Sequence, residues 1–123
     1  MATGSLVSVV DDDESVRESL PDLLRQLGFT ARAFRSPEEF LASECVAQTR
    51  CLILDIAMPG MTGLDLQREL TSRRQEIPIV FITAHADVGI RRRVLARGAV
   101  ECLFKPFGET ALLEALDVAL RGL

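Results

Sequence analysis

No stretch of this 123-residue chain approaches the ~20 apolar residues of a membrane-spanning helix. Its first residues, Met-Ala-Thr-Gly-Ser, lack the basic start and apolar centre of a secretory signal. Cysteine is scarce. Cys45, Cys51 and Cys102 are odd in number and irregularly spaced, which argues against a disulfide framework or a zinc site. They read as small buried hydrophobes of a reduced, cytoplasmic protein. Positive charge is in deficit: a net charge of −4 argues against nucleic-acid binding by this chain alone. Internal repeats, linkers and low-complexity segments are absent too. What remains is an ordinary globular balance, 48% hydrophobic and 26% charged, at the length of one domain.

Against that background, four apolar runs stand out by how they end. Leu6–Val10 stops at Asp11-Asp12-Asp13, and Cys51–Leu54 stops at Asp55. Ile77–Ile82 stops at Thr83, and Val100–Phe104 at Lys105-Pro106. Runs of this length, separated by helix-length segments, read as buried parallel strands. A fifth segment, Phe29–Phe34, alternates apolar and polar residues as a half-buried edge strand does.

Between the runs lie helix signals. Asp13 caps a pattern through Val16, Leu20, Leu24 and Leu27 that Gly28 stops, with Pro21 inside it as a predicted bend or tightened turn. Ser36-Pro37-Glu38-Glu39 starts a short helix expected to end near Cys45. Thr62 or Gly63 opens the next, with Leu64, Leu66 and Leu70 inward, and Pro78 opens the fourth strand. Ala86–Arg97 is the fourth helix, stopped by Gly98. Glu109–Leu120 is the fifth, ended by Gly122, with Leu112, Leu113, Leu116, Val118 and Leu120 on its apolar side. Strand and helix thus alternate throughout, which predicts an α/β fold with helices on both faces of a parallel sheet.

Strands of a parallel sheet all end on one edge, where ligands bind. Asp11, Asp12, Asp55, Thr83 and Lys105 should therefore converge. Clustered carboxylates repel by several kcal/mol at ~4 Å and favour a cation. An all-oxygen set without histidine or cysteine suits Mg²⁺ over softer metals. Asp55 is the candidate nucleophile toward phosphorus, since a carboxylate can form an acyl phosphate. Lys105 supplies a compact cation for a phosphoryl oxygen or for Asp55 itself. Thr83 supplies a hydroxyl, whose plainer use is to bond local backbone.

The order LILDIAMPGMTG, VFITAHAD, LFKPF, over a match from about Val7 to Leu120, resembles the receiver domain of two-component response regulators. The detail ITAHADV followed by GAVECLFKPF is most similar to receivers of the FixJ type. The resemblance implies a doubly wound five-stranded sheet of order 2-1-3-4-5. It implies Asp55 as the phosphoacceptor, Asp12 as a direct Mg²⁺ ligand, Asp11 acting through water, and the Ala57 carbonyl completing the set. It implies Thr83 as the switch residue and Lys105 as the phosphoryl-binding cation, with Pro106 a cis-peptide candidate beside it. It places His85 at the site mouth, where with Ala57 it is expected to set phosphoryl lifetime.

The chain departs from the family pattern at Cys102, where most receivers carry the aromatic that rotates with the switch; Phe104 lies on the same face, one pair further along. Arg91, Arg92, Arg93 and Arg97 on the fourth helix read either as a solvated face or as a partner surface. The implied partners are a sensor histidine kinase and a second copy in a phosphorylation-favoured homodimer. DNA is reached only through an output domain that FixJ-type regulators carry and this chain lacks, so the expectation is one receiver domain over residues 1–123 of a longer regulator. The reading is of a signalling module that assists its own phosphotransfer, not an enzyme. An aspartyl phosphohydrolase is disfavoured because Ala57 stands where such enzymes need a second acid. The alternative is a phosphorylation-independent, receiver-like interaction module.

Overall fold

The computed structural model describes residues 4–85 and 87–121. Five parallel strands, β1 (Leu6–Val10), β2 (Thr30–Phe34), β3 (Cys51–Asp55), β4 (Ile79–Thr83) and β5 (Glu101–Phe104), pair in the order β2-β1-β3-β4-β5. Five helices alternate with them: α1 (Glu14–Gln26), α2 (Pro37–Leu41), α3 (Gly63–Ser72), α4 (Val88–Ala96) and α5 (Glu109–Arg121).

The burial of each strand follows its place. β3 and β4, covered on both faces, are buried at every residue, whereas edge strand β2 exposes Thr30 and Arg32 and buries Ala31 and Phe34. Because strand side chains alternate, one sheet feeds two cores. Val7, Val9, Ile53 and Ile82 pack with Leu20 and Leu24 of α1 and with Leu112 and Leu116 of α5. Val10, Leu54 and Phe81 pack on the other face with Phe40, Leu66, Leu70 and Val94.

The caps form where the sequence places them. Asp13 accepts the Ser15 N–H at the start of α1, and Ser36 accepts the Glu39 N–H at α2. Thr62 and Asp65 make a reciprocal capping box at α3. The three cysteines are buried and unpaired.

Several local expectations need correction. α2 stops at Leu41, short of Cys45. Ser43 donates its hydroxyl to the Phe40 carbonyl and accepts the Cys45 N–H, and these local bonds replace helical ones. A 3-10 turn at Val46–Gln48 follows. Pro78 precedes β4, its carbonyl accepting the Leu52 N–H. α1 runs unbroken through Pro21, whose ring is buried. Leu64 packs against the core beside Leu66 and Leu70 as expected, though half-buried, whereas on α5 Leu113 and Val118 face solvent. The start of α4 at Val88 follows an Asp87 cap, and the expected boundary residues Ala86 and Gly122 lie outside the described residues.

Candidate functional site

The parallel register brings the chemistry together. Val10 pairs with Leu54, Asp55 with Ile82, and Thr83 with Phe104, so Asp11, Asp55, Thr83 and Lys105 emerge side by side at one sheet edge. The connections from β1 and β3 diverge there, which opens the crevice.

Asp11 is fully buried and held at four points. Its N–H donates to the Phe34 carbonyl at 3.1 Å, and its carbonyl accepts from Arg17 Nη1 at 3.1 Å. Its Oδ1 accepts the Asp13 N–H at 2.9 Å, and its Oδ2 pairs with Lys105 Nζ at 2.8 Å. Asp55 is buried at the end of β3, with Oδ1 3.8 Å from the same ammonium. Asp12 is exposed, yet one oxygen from each of Asp11, Asp12 and Asp55 lies within 4.8 Å of the others.

The electrostatics follow from that crowding. Burial pushes the Asp55 carboxyl up to about 7; the Asp11 charge adds to the shift, Lys105 opposes it, and Asp12 adds again. For Lys105, burial works against the charge. The Asp11 bond and the charges of Asp11, Asp55 and Asp13 outweigh it, so the ammonium is held above its ordinary range. One lysine, the only one in the chain, therefore serves an acid cluster, two of whose three members are buried, and does not cancel its repulsion. Hard oxygen donors at this spacing with unmet negative charge fit a Mg²⁺ ion. The expected cation for Asp55 is thus engaged first with Asp11, because Asp11 is deeper and nearer.

Thr83 is buried, and its Oγ1 accepts the His85 N–H at 3.1 Å. His85 itself is exposed; its carbonyl accepts the Asp87 N–H at 2.8 Å, and Asp87 caps α4. A short hydrogen-bonded path thus runs from the strand end into the helix. Ala57 is exposed in the β3–α3 loop, next to buried Met58. The Lys105 N–H donates to the Thr83 carbonyl at 2.8 Å, and the Lys105–Pro106 peptide is cis. Cys102 is buried and Phe104 half-buried against the same core, as strand alternation requires.

The arginines of α4 divide. Arg91 donates from Nε and Nη2 to Glu101 Oε1 at 3.0 and 2.7 Å, and that oxygen also accepts the Cys102 N–H at 2.9 Å. Arg92, Arg93 and Arg97 are exposed. Two residues of the site escaped sequence reasoning. Arg17 reaches back from the second turn of α1, and Gly63 lies against the Asp55 carbonyl. For Arg17 the signal was available, since a residue four after a helix N-cap lies above the preceding loop. For Gly63 none was.

The family model for the response regulator receiver domain matches residues 7–117. Nodulation protein W of Bradyrhizobium diazoefficiens is 44% identical over 96% of this chain and 52% of its own length. The transcriptional regulatory protein FixJ of Rhizobium meliloti is 38% identical over 95% of this chain and 57% of its own. This chain thus spans about half the length of these curated relatives. The crystal structure of FixJ-N superposes with a TM-score of 0.87 at 37% identity, covering 100% of this chain and 98% of that one.

Proposed function

Because the chain belongs to the response regulator receiver domain family, we propose that it is a phosphoacceptor that takes a phosphoryl group from a sensor histidine kinase onto Asp55. One observation carries the reading. A buried carboxylate at the end of a central strand sits among two further acids and a lysine that is itself held in place. In the transfer, an Asp55 Oδ bonds phosphorus as the P–N bond of the kinase phosphohistidine breaks and the imidazole leaves.

Asp12, Asp55 and the Ala57 carbonyl would hold Mg²⁺, with Asp11 acting through water. When bound, the ion offsets charge between the acids and the phosphoryl group. Lys105 provides a fixed ammonium within reach of a phosphoryl oxygen. Its bond to Asp11 keeps it charged and aimed. The Thr83 hydroxyl, now accepting from the His85 backbone, is placed to turn toward the new oxygens and draw the loop to α4 with it. His85 and Ala57 flank the path of water to the acyl phosphate and set its lifetime.

The output is a changed surface on α4, β5 and α5 that favours a homodimer. The Arg91–Glu101 pair and the exposed Leu113 and Val118 lie on these elements. FixJ, a transcriptional regulatory protein, matches over only 57% of its own length, so control of transcription would run through a further, DNA-binding part in a cytoplasmic regulator. Cys102, at the position where most receivers carry a rotating aromatic, favours a second reading as a phosphorylation-independent module.

Intact mass after incubation with acetyl phosphate separates the two. The phosphoacceptor reading expects a Mg²⁺-dependent phosphoryl adduct that Asp55→Asn abolishes. No adduct under any condition leaves the interaction module.

A further inference from the structure

The opposite edge of the sheet carries a second, unrelated feature. β1 is five residues long, so its N-terminal end lies ~16 Å from the acid cluster. There a cavity of about 500 Å³ opens between the starts of β1 and β2 and the segment before β3. It exists because α2 ends at Leu41. The chain from 42 to 50 folds as turns and a 3-10 helix and leaves Leu6, at the start of β1, only partly covered.

Its frame is pinned. The buried Ser8 and Thr49 hydroxyls bond at 2.7 Å, Thr49 Oγ1 donates to the Cys45 carbonyl at 2.7 Å, and the Arg50 N–H donates to the Leu6 carbonyl at 2.9 Å. Thr30 Oγ1 donates to the Gly4 carbonyl at 3.2 Å on the other wall. The walls therefore need little ordering to receive a ligand.

The lining is lopsided in charge. Arg32 and Arg50 both line the cavity with Gln48 and Thr30, and no acidic residue does. Neither arginine forms an ion pair among the described residues. In a chain of net charge −4 this is a local concentration of positive charge without a counter-charge. Guanidinium forks match phosphate oxygens in paired hydrogen bonds, and two of them lining one cavity, Arg32 on β2 and Arg50 just before β3 with β1 between, suit two linked phosphates better than one.

The geometry points to a binding site, separate from the acid cluster, for a small anion bearing a diphosphate group, held by Arg32 and Arg50. Free oligophosphate and a nucleotide share that chemistry. The site does not depend on phosphoryl transfer to Asp55.

The test is an amide NMR titration with inorganic pyrophosphate, and in parallel with ADP, in Mg²⁺-free buffer at constant ionic strength. Saturable shifts at Leu6, Thr30, Arg32, Gln48 and Arg50 are expected. The double variant Arg32→Gln/Arg50→Gln should keep its spectrum elsewhere and weaken binding about tenfold or more. Tighter binding of ADP than of pyrophosphate identifies a nucleotide, and equal binding identifies the free anion. Shifts confined to the acid cluster, no saturation, or equal affinity in the double variant would overturn the assignment.

Discussion

Lys105 Nζ sits 2.8 Å from Asp11 Oδ2 and 3.8 Å from Asp55 Oδ1, so the lysine is anchored on the deepest acid and only leans toward Asp55. Removing it leaves Asp11 buried without its cation. Lys105→Met is therefore expected to destabilise the protein by ~1–3 kcal/mol, below the full cost of breaking a buried pair because the lysine retains some solvent. Adding Asp11→Asn should restore much of that loss. A double-mutant cycle by urea unfolding measures the coupling, and additive losses would refute the pairing.

Asp55 governs a pH dependence whose sign is fixed by the direction of its shift. Its carboxyl, pushed up to about 7 in the metal-free protein, lies above the ordinary carboxylate range. Between about pH 4 and 7 the folded state holds a proton that the unfolded state releases. Stability from this group is therefore present at low pH and lost as pH rises through 7, on the order of 4 kcal/mol in all. Asp55→Asn should stabilise the protein, and the gain over wild type should be larger at pH 7.5 than at pH 5. Melting temperatures in chelator at the two pH values test it. Mg²⁺ added to wild type at pH 7.5 should narrow the gap.

Gly63 is held to its size by the backbone of Asp55. A Cβ there would collide with the Asp55 carbonyl oxygen and crowd the Ile56 Cα, so α3 starts flush against the end of β3. Gly63→Ala forces the helix or the strand end to move. A loss of ~1–3 kcal/mol is expected, typical of overpacking. Phosphoryl uptake from acetyl phosphate should slow with it, because the shift falls on Asp55. Denaturant midpoints alongside uptake rates would show both.

Thiol chemistry should be nearly silent in the native state. Cys45, Cys51 and Cys102 are buried; burial pushes the Cys51 thiol up to about 12 and also raises Cys102. Reaction with an aromatic disulfide reagent is expected to follow opening of the fold, with Cys45, at the cavity wall, modified first. Rapid labelling of Cys51 in the folded protein would contradict the packing.

The Thr83–His85 contact predicts a local signature. Thr83→Val removes the acceptor of the His85 N–H, a bond worth ~1 kcal/mol. Exchange of that amide should accelerate about fivefold, while Thr83→Ser keeps it slow. Equal exchange in both variants would place the bond outside the loop's stability.

What the sequence determined by itself is the set of local decisions. Apolar runs ending at Asp11, Asp55 and Thr83 define buried strands, because burial of both sheet faces needs continuous apolar residues; the run ending at Lys105, expected to be buried too, became the edge strand β5, in which only Cys102 is buried. Asp13, Ser36 and Thr62 define helix starts, because short polar side chains satisfy free N–H groups nearby. These signals are local in the chain, and so are legible in it. The convergence of the acids at one edge follows from parallel strands alone. The strand order, read here from family resemblance, is a long-range choice that spacing does not encode.

Tertiary structure decided the rest. It bonded Lys105 to Asp11 rather than first to Asp55, since pair distances depend on depth across four strands. It set Gly63 against the Asp55 carbonyl, a contact between backbones that side-chain pattern does not record. It turned Leu113 and Val118 outward although helical spacing allowed them inward, because α5 has only one sheet face to cover. It ended α2 at Leu41, where Ser43 offered closer partners, and so opened the basic cavity behind Arg32 and Arg50. In each case the deciding energy came from residues distant in sequence, or from competition between local bonds that propensity does not resolve.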